Sequence, residues 1–227
     1  NVGLKAIYEK ANDKLKKLFF VPFNLWLLDT LLNGGVDAKQ ISDMQTVVQL
    51  LGLYWEFRVV NKADSFDREN ILRKAAQTMV RDSSLSVWKI DVFSRNKSDV
   101  LKGLLSDQML VPVSSSEERI AFEHNMIFDY VVSRLIIQED ANSALNFLEK
   151  DPSRPIFLRP SIEYYFSRLW FSDRVIFWRI FWHFQFSGSN EYLNILPVIT
   201  LVKEITDPSE FVPIQNRLDK ATGVARV

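Results

Sequence analysis

Apolar residues recur at three- and four-residue steps over most of the first 81 positions, a spacing typical of helices with one buried face. The first such segment stops at Pro22, which can open a second helix because its missing N–H is not needed there. Asn33-Gly34-Gly35 ends that second helix. A third long helix is predicted over Ile41–Val60. A fourth begins at Asp67-Arg68-Glu69, where acidic residues occupy the first turn.

The pattern changes between residues 85 and 123. Leu85-Ser86-Val87 alternates and predicts a brief strand, and Ser98–Gln108 predicts a compact helix. The apolar segment 109–113 and the alternating segment 119–123 flank a polar turn, which predicts a hairpin. This order of helices, short strand and hairpin is typical of a winged-helix module, and a further helix follows from Asn125.

From residue 139 onwards, helical segments of 10–20 residues alternate with short loops that contain proline, which suggests paired helices stacked in a solenoid-like array. The sequence therefore predicts a mainly α protein of three parts: a helical lid domain over 1–65, a winged-helix domain over 66–138 with a small β-hairpin, and a helical-repeat-like region over 139–227.

Composition removes several classes of function. The 227 residues include 28 basic and 28 acidic side chains, and this zero net charge argues against a nucleic-acid binder that depends on bulk charge. The absence of cysteine excludes a disulfide scaffold, a thiolate zinc site and a cysteine nucleophile. The chain begins at Asn1 without a signal-peptide pattern, so we expect a piece of a longer, cytoplasmic protein.

Common catalytic and metal-binding motifs are also missing. No glycine belongs to a G-x-x-x-x-G-K-[ST] loop, and neither G-x-S-x-G nor H-E-x-x-H occurs. The two histidines, His124 and His183, fall in different predicted modules. The sequence therefore predicts no catalytic residue, no metal site and no bound cofactor in this chain.

His124 lies between the second hairpin strand and the following helix. Backbone N–H groups are unpaired at a helix N-terminus, so an imidazole there could join them around a phosphate. The alternative is a histidine that caps the helix or packs locally.

The aromatic run 175–186 is interrupted by Arg179, His183 and Gln185 and is too short to span a bilayer, so we predict a helix buried between neighbours. Membrane contact stays a minor alternative. If Trp170, Trp178 and Trp182 form an exposed cluster they indicate an interface, whereas a buried cluster indicates core.

For a DNA-binding winged helix, the helix before the hairpin would enter the groove. The positive charges of Arg95, Lys97 and Lys102 are offset there by Asp91, Asp99 and Asp107, and the turn carries Glu117 and Glu118. This balance favours a winged helix that packs against protein.

Three stretches in order resemble the C-terminal regulatory part of the STAND-type P-loop ATPases, which include NACHT proteins. They are Pro22-Phe23-Asn24-Leu25, the helix ending in Leu53-Tyr54-Trp55-Glu56, and 104–110 before the hairpin. Residues 122–130 are similar to the F-x-H-x-x-x-[FQ]-[DE]-[YF] stretch that closes the winged-helix domain of that family. The resemblance covers roughly residues 1–138.

The resemblance implies that Pro22 lies against the adenine and that His124 contacts the β-phosphate of ADP in a closed state. The P-loop, the Mg²⁺-binding acid and the sensor would belong to a nucleotide-binding domain upstream, so only the full-length protein would bind ATP or ADP with Mg²⁺ and act as an ATPase. The implied function is a regulatory and interaction region of a signalling switch that closes over nucleotide, relays sensing to oligomerisation, and receives a protein partner or ligand on its C-terminal helices. Two alternatives stay open: a helical scaffold for protein–protein interaction and a winged-helix DNA-binding regulator.

Overall fold

A computed structural model describes residues 2–93, 98–113, 118–188 and 190–222, with side chains between 3 and 217. The described chain is mainly helical and contains a small three-stranded antiparallel sheet, as the sequence predicted. It forms two compact units, residues 1–136 and 137–227. The boundary predicted at residue 65 falls inside the first unit, and the three-domain division stays a prediction.

The helices of the first unit follow the apolar pattern with more interruptions than we predicted. They are α1 (Val2–Lys10), α2 (Asp13–Leu18), α3 (Pro22–Asn33), α4 (Ala38–Ser42), α5 (Val47–Trp55), α6 (Ser65–Arg81), α7 (Lys89–Val92), α8 (Ser98–Ser106) and α9 (Asn125–Val131). Pro22 opens α3 as predicted, and Gly35, with φ of 83°, adopts the left-handed conformation just after its end.

The single helix predicted over Ile41–Val60 was wrong. Residues 43–46 separate α4 from α5, and Thr46 starts α5 with a capping box in which Thr46 and Gln49 satisfy each other's backbone N–H groups. Asn12 likewise starts α2 by accepting the Leu15 N–H, so the apolar stripe before Pro22 is split between two short helices.

Two π-helical turns extend helices of the first unit. Glu56–Val60 continues α5, and Val132–Ile136 continues α9. The two turns are joined by an ion pair between Glu56 and Arg134 at 3.8 Å, and the Arg134 guanidinium lies 5.5 Å from the centre of the Trp55 ring. Turns of this kind often mark functional parts of a helix.

The sheet has the order β1-β3-β2, formed by β1 (Val87–Trp88), β2 (Leu110–Pro112) and β3 (Arg119–Phe122). The hairpin pairs Leu110 with Phe122 and Val111 with Ala121, as the alternation predicted. The brief strand predicted at 85–87 is observed as β1, which pairs Val87 with Ile120 on the other edge of β3. Because β3 leads directly into α9, the sheet fixes where α9 begins.

The described elements of the second unit are all helices, joined by loops. It contains α10 (Ala141–Glu149), α11 (Arg154–Phe157), α12 (Arg159–Ser172), α13 (Arg174–Ser187), α14 (Glu191–Glu204), a short 3-10 turn at Pro208–Phe211, and α15 (Val212–Thr222). Its core is built largely of rings: Phe166 is fully buried and contacts Tyr165, Phe177 and Phe184 edge to face. In the described part of the chain, no helix combines the length and apolar character that a bilayer crossing requires.

Candidate functional site

The structure places His124 against the residue that follows Pro22, the other predicted nucleotide-contacting position. His124 stacks on Phe23, the neighbour of Pro22, with ring centres 3.9 Å apart and planes inclined by 12°. Pro22 is exposed at the first position of α3, and His124 is half-buried just before α9. A face-to-face contact this close joins the starts of the two helices, although the two residues are more than one hundred positions apart in the sequence.

The hydrogen bonding of His124 fixes the state of its imidazole. Nδ1 accepts the backbone N–H of Met126 at 3.1 Å, so the ring caps α9, which was the local alternative predicted for it. A nitrogen that accepts carries no proton, so the proton of the neutral ring is on Nε2. No described residue accepts a hydrogen bond from Nε2, which is therefore able to donate one to a ligand.

Partial burial lowers the pKa of His124, and the nearby Glu123 carboxylate opposes this effect only in part. The ring is therefore neutral at pH 7. Capping and ligand donation are compatible because they use different nitrogens of the same ring.

A chain of aromatic contacts continues from Phe23 into the first unit. Phe23 stacks on Trp26 with centres 5.4 Å apart, and Trp26 lies 5.7 Å from Tyr54. The Tyr54 hydroxyl donates to the Asp107 backbone carbonyl at 3.3 Å. Burial raises the pKa of Tyr54 to about 12 against the opposing effect of Arg58, so this hydroxyl stays a donor at any physiological pH.

The carboxylate of Asp107, which follows α8, contacts three basic side chains. Its carboxylate accepts from Arg58 at 2.8 Å and from Arg68 at 2.6 Å, and Lys62 Nζ lies 3.7 Å away. Arg68 also donates to Asp64 at 2.7 Å. This cluster, which we call the Asp107 cluster, ties α8 to the first π-helical turn and to α6. The sequence analysis counted Asp107 only among the acids that offset nearby basic residues, and it did not predict that one carboxylate would contact three cations.

A buried amide lies beside the candidate contact residues. Asn24 is 2% exposed, and its Oδ1 has no hydrogen-bond donor among the described residues. An unpaired buried acceptor is uncommon in folded proteins and calls for a reason. Sequence reasoning included Asn24 only as part of the resemblance around Pro22.

The surface that a DNA-binding winged helix would use carries little free positive charge in its described part. Lys102 is bonded to Asp99 at 3.2 Å, and the Arg119 guanidinium donates to Ser86 and lies over the Trp88 ring. Glu118 is exposed beside the hairpin. Arg95, Lys97 and Glu117 lie outside the described residues.

The tryptophans of the second unit divide between core and surface. Trp170 is 1% exposed, whereas Trp178 and Trp182 are half-buried. Trp178, Trp182 and Phe186 stack in succession along α13 with ring centres 5.8 Å and 5.9 Å apart. We call these three residues the α13 ladder. Phe186 at its end is 65% exposed, so the helix predicted to be buried between neighbours has one accessible edge.

No group of three or more potential metal-ligating side chains occurs in the described ranges. Comparison of the chain with known proteins gives no match: no family model, no curated protein and no solved structure is significantly similar to it.

Proposed function

We propose that this chain is the regulatory and interaction region of a nucleotide-dependent switch of the STAND type, and that Pro22 and His124 contact nucleotide held by an upstream P-loop domain. The observation that supports this proposal is the ring stack between Phe23 and His124. The resemblance assigns Pro22, the neighbour of Phe23, and His124 to one nucleotide, and a shared ligand requires these two positions to lie close together. A proline or a histidine alone would not be diagnostic.

Each residue would make a different contact. The exposed Pro22 ring would offer an apolar surface to the base, and the Nε2–H of His124 would donate to a phosphate oxygen. A hydrogen bond of this kind to a charged group contributes about 1–3 kcal/mol. That amount biases a two-state equilibrium about 5- to 150-fold but does not hold a nucleotide without a P-loop.

The winged-helix module and the second unit have separate roles in this switch. Residues 66–138, with α6, β1, α7, α8 and the β2–β3 hairpin, serve as a winged-helix module that carries His124. The second unit begins a solenoid-like array that receives a protein partner or ligand. ADP contacted by His124 favours a closed state, and exchange for ATP or occupation of the array releases that contact and frees a surface for oligomerisation.

The test is nucleotide release from a longer form of the protein that includes the domain encoded upstream. We expect fluorescent ADP to dissociate about tenfold faster from His124→Asn than from the unaltered protein, since asparagine keeps the helix cap but lacks the Nε2 donor. Lys74→Asn, a change at an exposed position of α6, serves as the control and should leave release unchanged. Absence of a P-loop domain upstream, or equal release from His124→Asn, would contradict the proposal.

The chain as given should not hydrolyse ATP because it contains no P-loop motif. Phosphate release should match that of a mock preparation. Turnover above that level which disappears in His124→Ala would show that the active centre had been misplaced.

A second candidate, a helical scaffold for protein partners, is favoured by the accessible edge of the α13 ladder. Phe186 and Val175 are 65% and 79% exposed, and exposed apolar side chains beside half-buried tryptophans suit a protein interface. DNA binding is the weaker alternative because the acidic and paired side chains around the hairpin oppose it; a salt-dependent gel shift would favour it.

A further inference from the structure

The second unit contains an open cavity of about 450 Å³ that plays no part in the proposed nucleotide contact. Its walls come from the beginning of α10, one face of α13 and α15. Its size falls within the range of small-molecule sites in proteins, which is roughly 300–1,000 Å³.

One face of α13 presents four side chains to the cavity. Arg179, Trp182, His183 and Phe186 follow one another at intervals of three, one and three residues, which places them on one side of a helix. All four line the cavity. A guanidinium, an indole, an imidazole and a phenyl ring therefore face the same space.

The arginines of the cavity differ from the other described arginines of the second unit. Arg159, Arg168 and Arg174 are paired with Glu163, Glu139 and Glu210, and Arg154 donates to the Phe147 carbonyl. Arg179 and Arg217 both line the cavity, and neither has a hydrogen-bond acceptor among the described residues. Both are exposed, so a ligand can reach them.

Arg217 is nevertheless held in place. Its guanidinium lies 4.9 Å from the centre of the Trp182 ring and 4.6 Å from that of Phe186. Contact with aromatic faces orients a guanidinium without neutralising its charge or using its N–H donors. Such a group can form paired hydrogen bonds with an oxyanion.

One carboxylate, that of Asp140, also lines the cavity. This carboxylate caps α10, where it accepts a hydrogen bond from the Ser143 N–H at 2.8 Å. That hydrogen bond, with help from Arg179 and His183, lowers the pKa of Asp140, so the group is charged at neutral pH. The two arginines and the one carboxylate together give the lining a charge of +1.

We infer that this cavity binds a small molecule that carries a planar ring and an oxyanion, either a phosphate or a carboxylate. Arg179 and Arg217 bind the oxyanion, and the ring lies against the exposed edge of the α13 ladder at Phe186. The inference concerns the second unit alone and does not depend on nucleotide contact at His124.

Four probes test the contributions of the oxyanion and of the ring separately: phenyl phosphate, benzoate, benzyl alcohol and inorganic phosphate. Binding to the whole chain is measured by calorimetry and by NMR shifts of the Trp182 indole N–H. We expect phenyl phosphate or benzoate to bind at least tenfold more tightly than benzyl alcohol or inorganic phosphate. Which of the two binds more tightly identifies the oxyanion as phosphate or carboxylate.

Variants then assign the contacts. Arg179→Gln and Arg217→Gln should each weaken binding of the tighter probe about tenfold or more, and Arg159→Gln, which removes a surface guanidinium of α12, should not. Equal affinity for charged and neutral probes, no shift at Trp182, or equal loss in Arg159→Gln would overturn the inference. The indole shift is read on the unaltered chain, so it tests the site even if a variant folds poorly.

Discussion

The Asp107 cluster of the first unit and the cavity of the second unit use arginine in opposite ways, although both units are mainly helical. In the first unit, Arg58 and Arg68 converge on the carboxylate of Asp107 and serve packing. In the second, Arg179 and Arg217 line a cavity without an acceptor among the described residues, while rings build the core. Charge count alone therefore does not identify a binding surface; what matters is whether the guanidinium N–H donors are already hydrogen-bonded by the chain itself.

The sharpest way to test this contrast is to remove a ring from the core of the second unit. Phe166→Ala should lower the free energy of unfolding by about 3–5 kcal/mol because it deletes a fully buried ring and leaves a cavity. Urea unfolding with hydrogen exchange of α12 and α13 measures the loss. Phe186→Ala, the same change at a position 65% exposed, should cost about 1 kcal/mol or less. Similar losses in the two variants would mean that rings do not hold this core.

The corresponding change in the first unit is Asp107→Ala. It should cost about 3 kcal/mol because it leaves Arg58 and the nearly buried Arg68 without their shared acceptor. Exchange of amides in α6 and α8 should rise, while that of α12 should not. Asp99→Ala removes a carboxylate that is 92% exposed, and its effect should stay within about 0.5 kcal/mol. A loss no larger than that of Asp99→Ala would show that the Asp107 cluster is not structural.

A smaller effect is expected at the start of α5. Thr46→Ala should lower stability by about 1 kcal/mol, since the Gln49 N–H loses its acceptor, whereas Thr46→Ser should be close to neutral. Thermal unfolding of the two variants side by side measures the difference. Equal melting temperatures would indicate that residues 43–46 interrupt the helix for another reason.

The smallest expected effect is the pH dependence due to His124. Its pKa is lowered in the folded chain, so the unfolded chain binds a proton first as pH falls from about 7.5 through 6.5 and below. The stability that the neutral ring contributes is thus present above that window and is lost as pH falls through the folded pKa. His124→Asn should reduce the slope of stability against pH in this window, as measured by urea unfolding at several pH values. An unchanged slope would assign the dependence to other groups.

The sequence predicted the positions of helices and strands better than it predicted the interruptions within helices. Pro22, Gly35 and the alternation in the hairpin each have a local physical cause, so the start of α3, its end and the β2–β3 pairing were predicted correctly. The break before α5 was readable as Thr46-x-x-Gln49, but Ile41 and Met44 before it keep a helical spacing with the apolar residues that begin at Val47, and this spacing hid the break. The π-helical turns were not predictable, because one extra residue in a helical turn leaves no clear trace in an apolar pattern.

Candidate sites show the same limit. His124 and Pro22 were identifiable from the sequence, but the stack of His124 on Phe23 was not, because it joins residues about one hundred positions apart and arises only in the tertiary structure. The spacing of Arg179, Trp182, His183 and Phe186 was visible on one helix. Arg217 was not, because only tertiary structure brings α15 to that face.

The π-helical turn at Glu56–Val60 has a consequence for how this chain can vary. A π-helical turn holds one residue more than the regular hydrogen bonds of an α-helix need. If one of its residues were deleted, the turn would return to ordinary α-helical form and the residues beyond it would keep nearly the same orientation, whereas a deletion in a regular part of α5 would rotate them by about 100°. Inheritance is therefore freer to change the length of the chain at this turn than within α5.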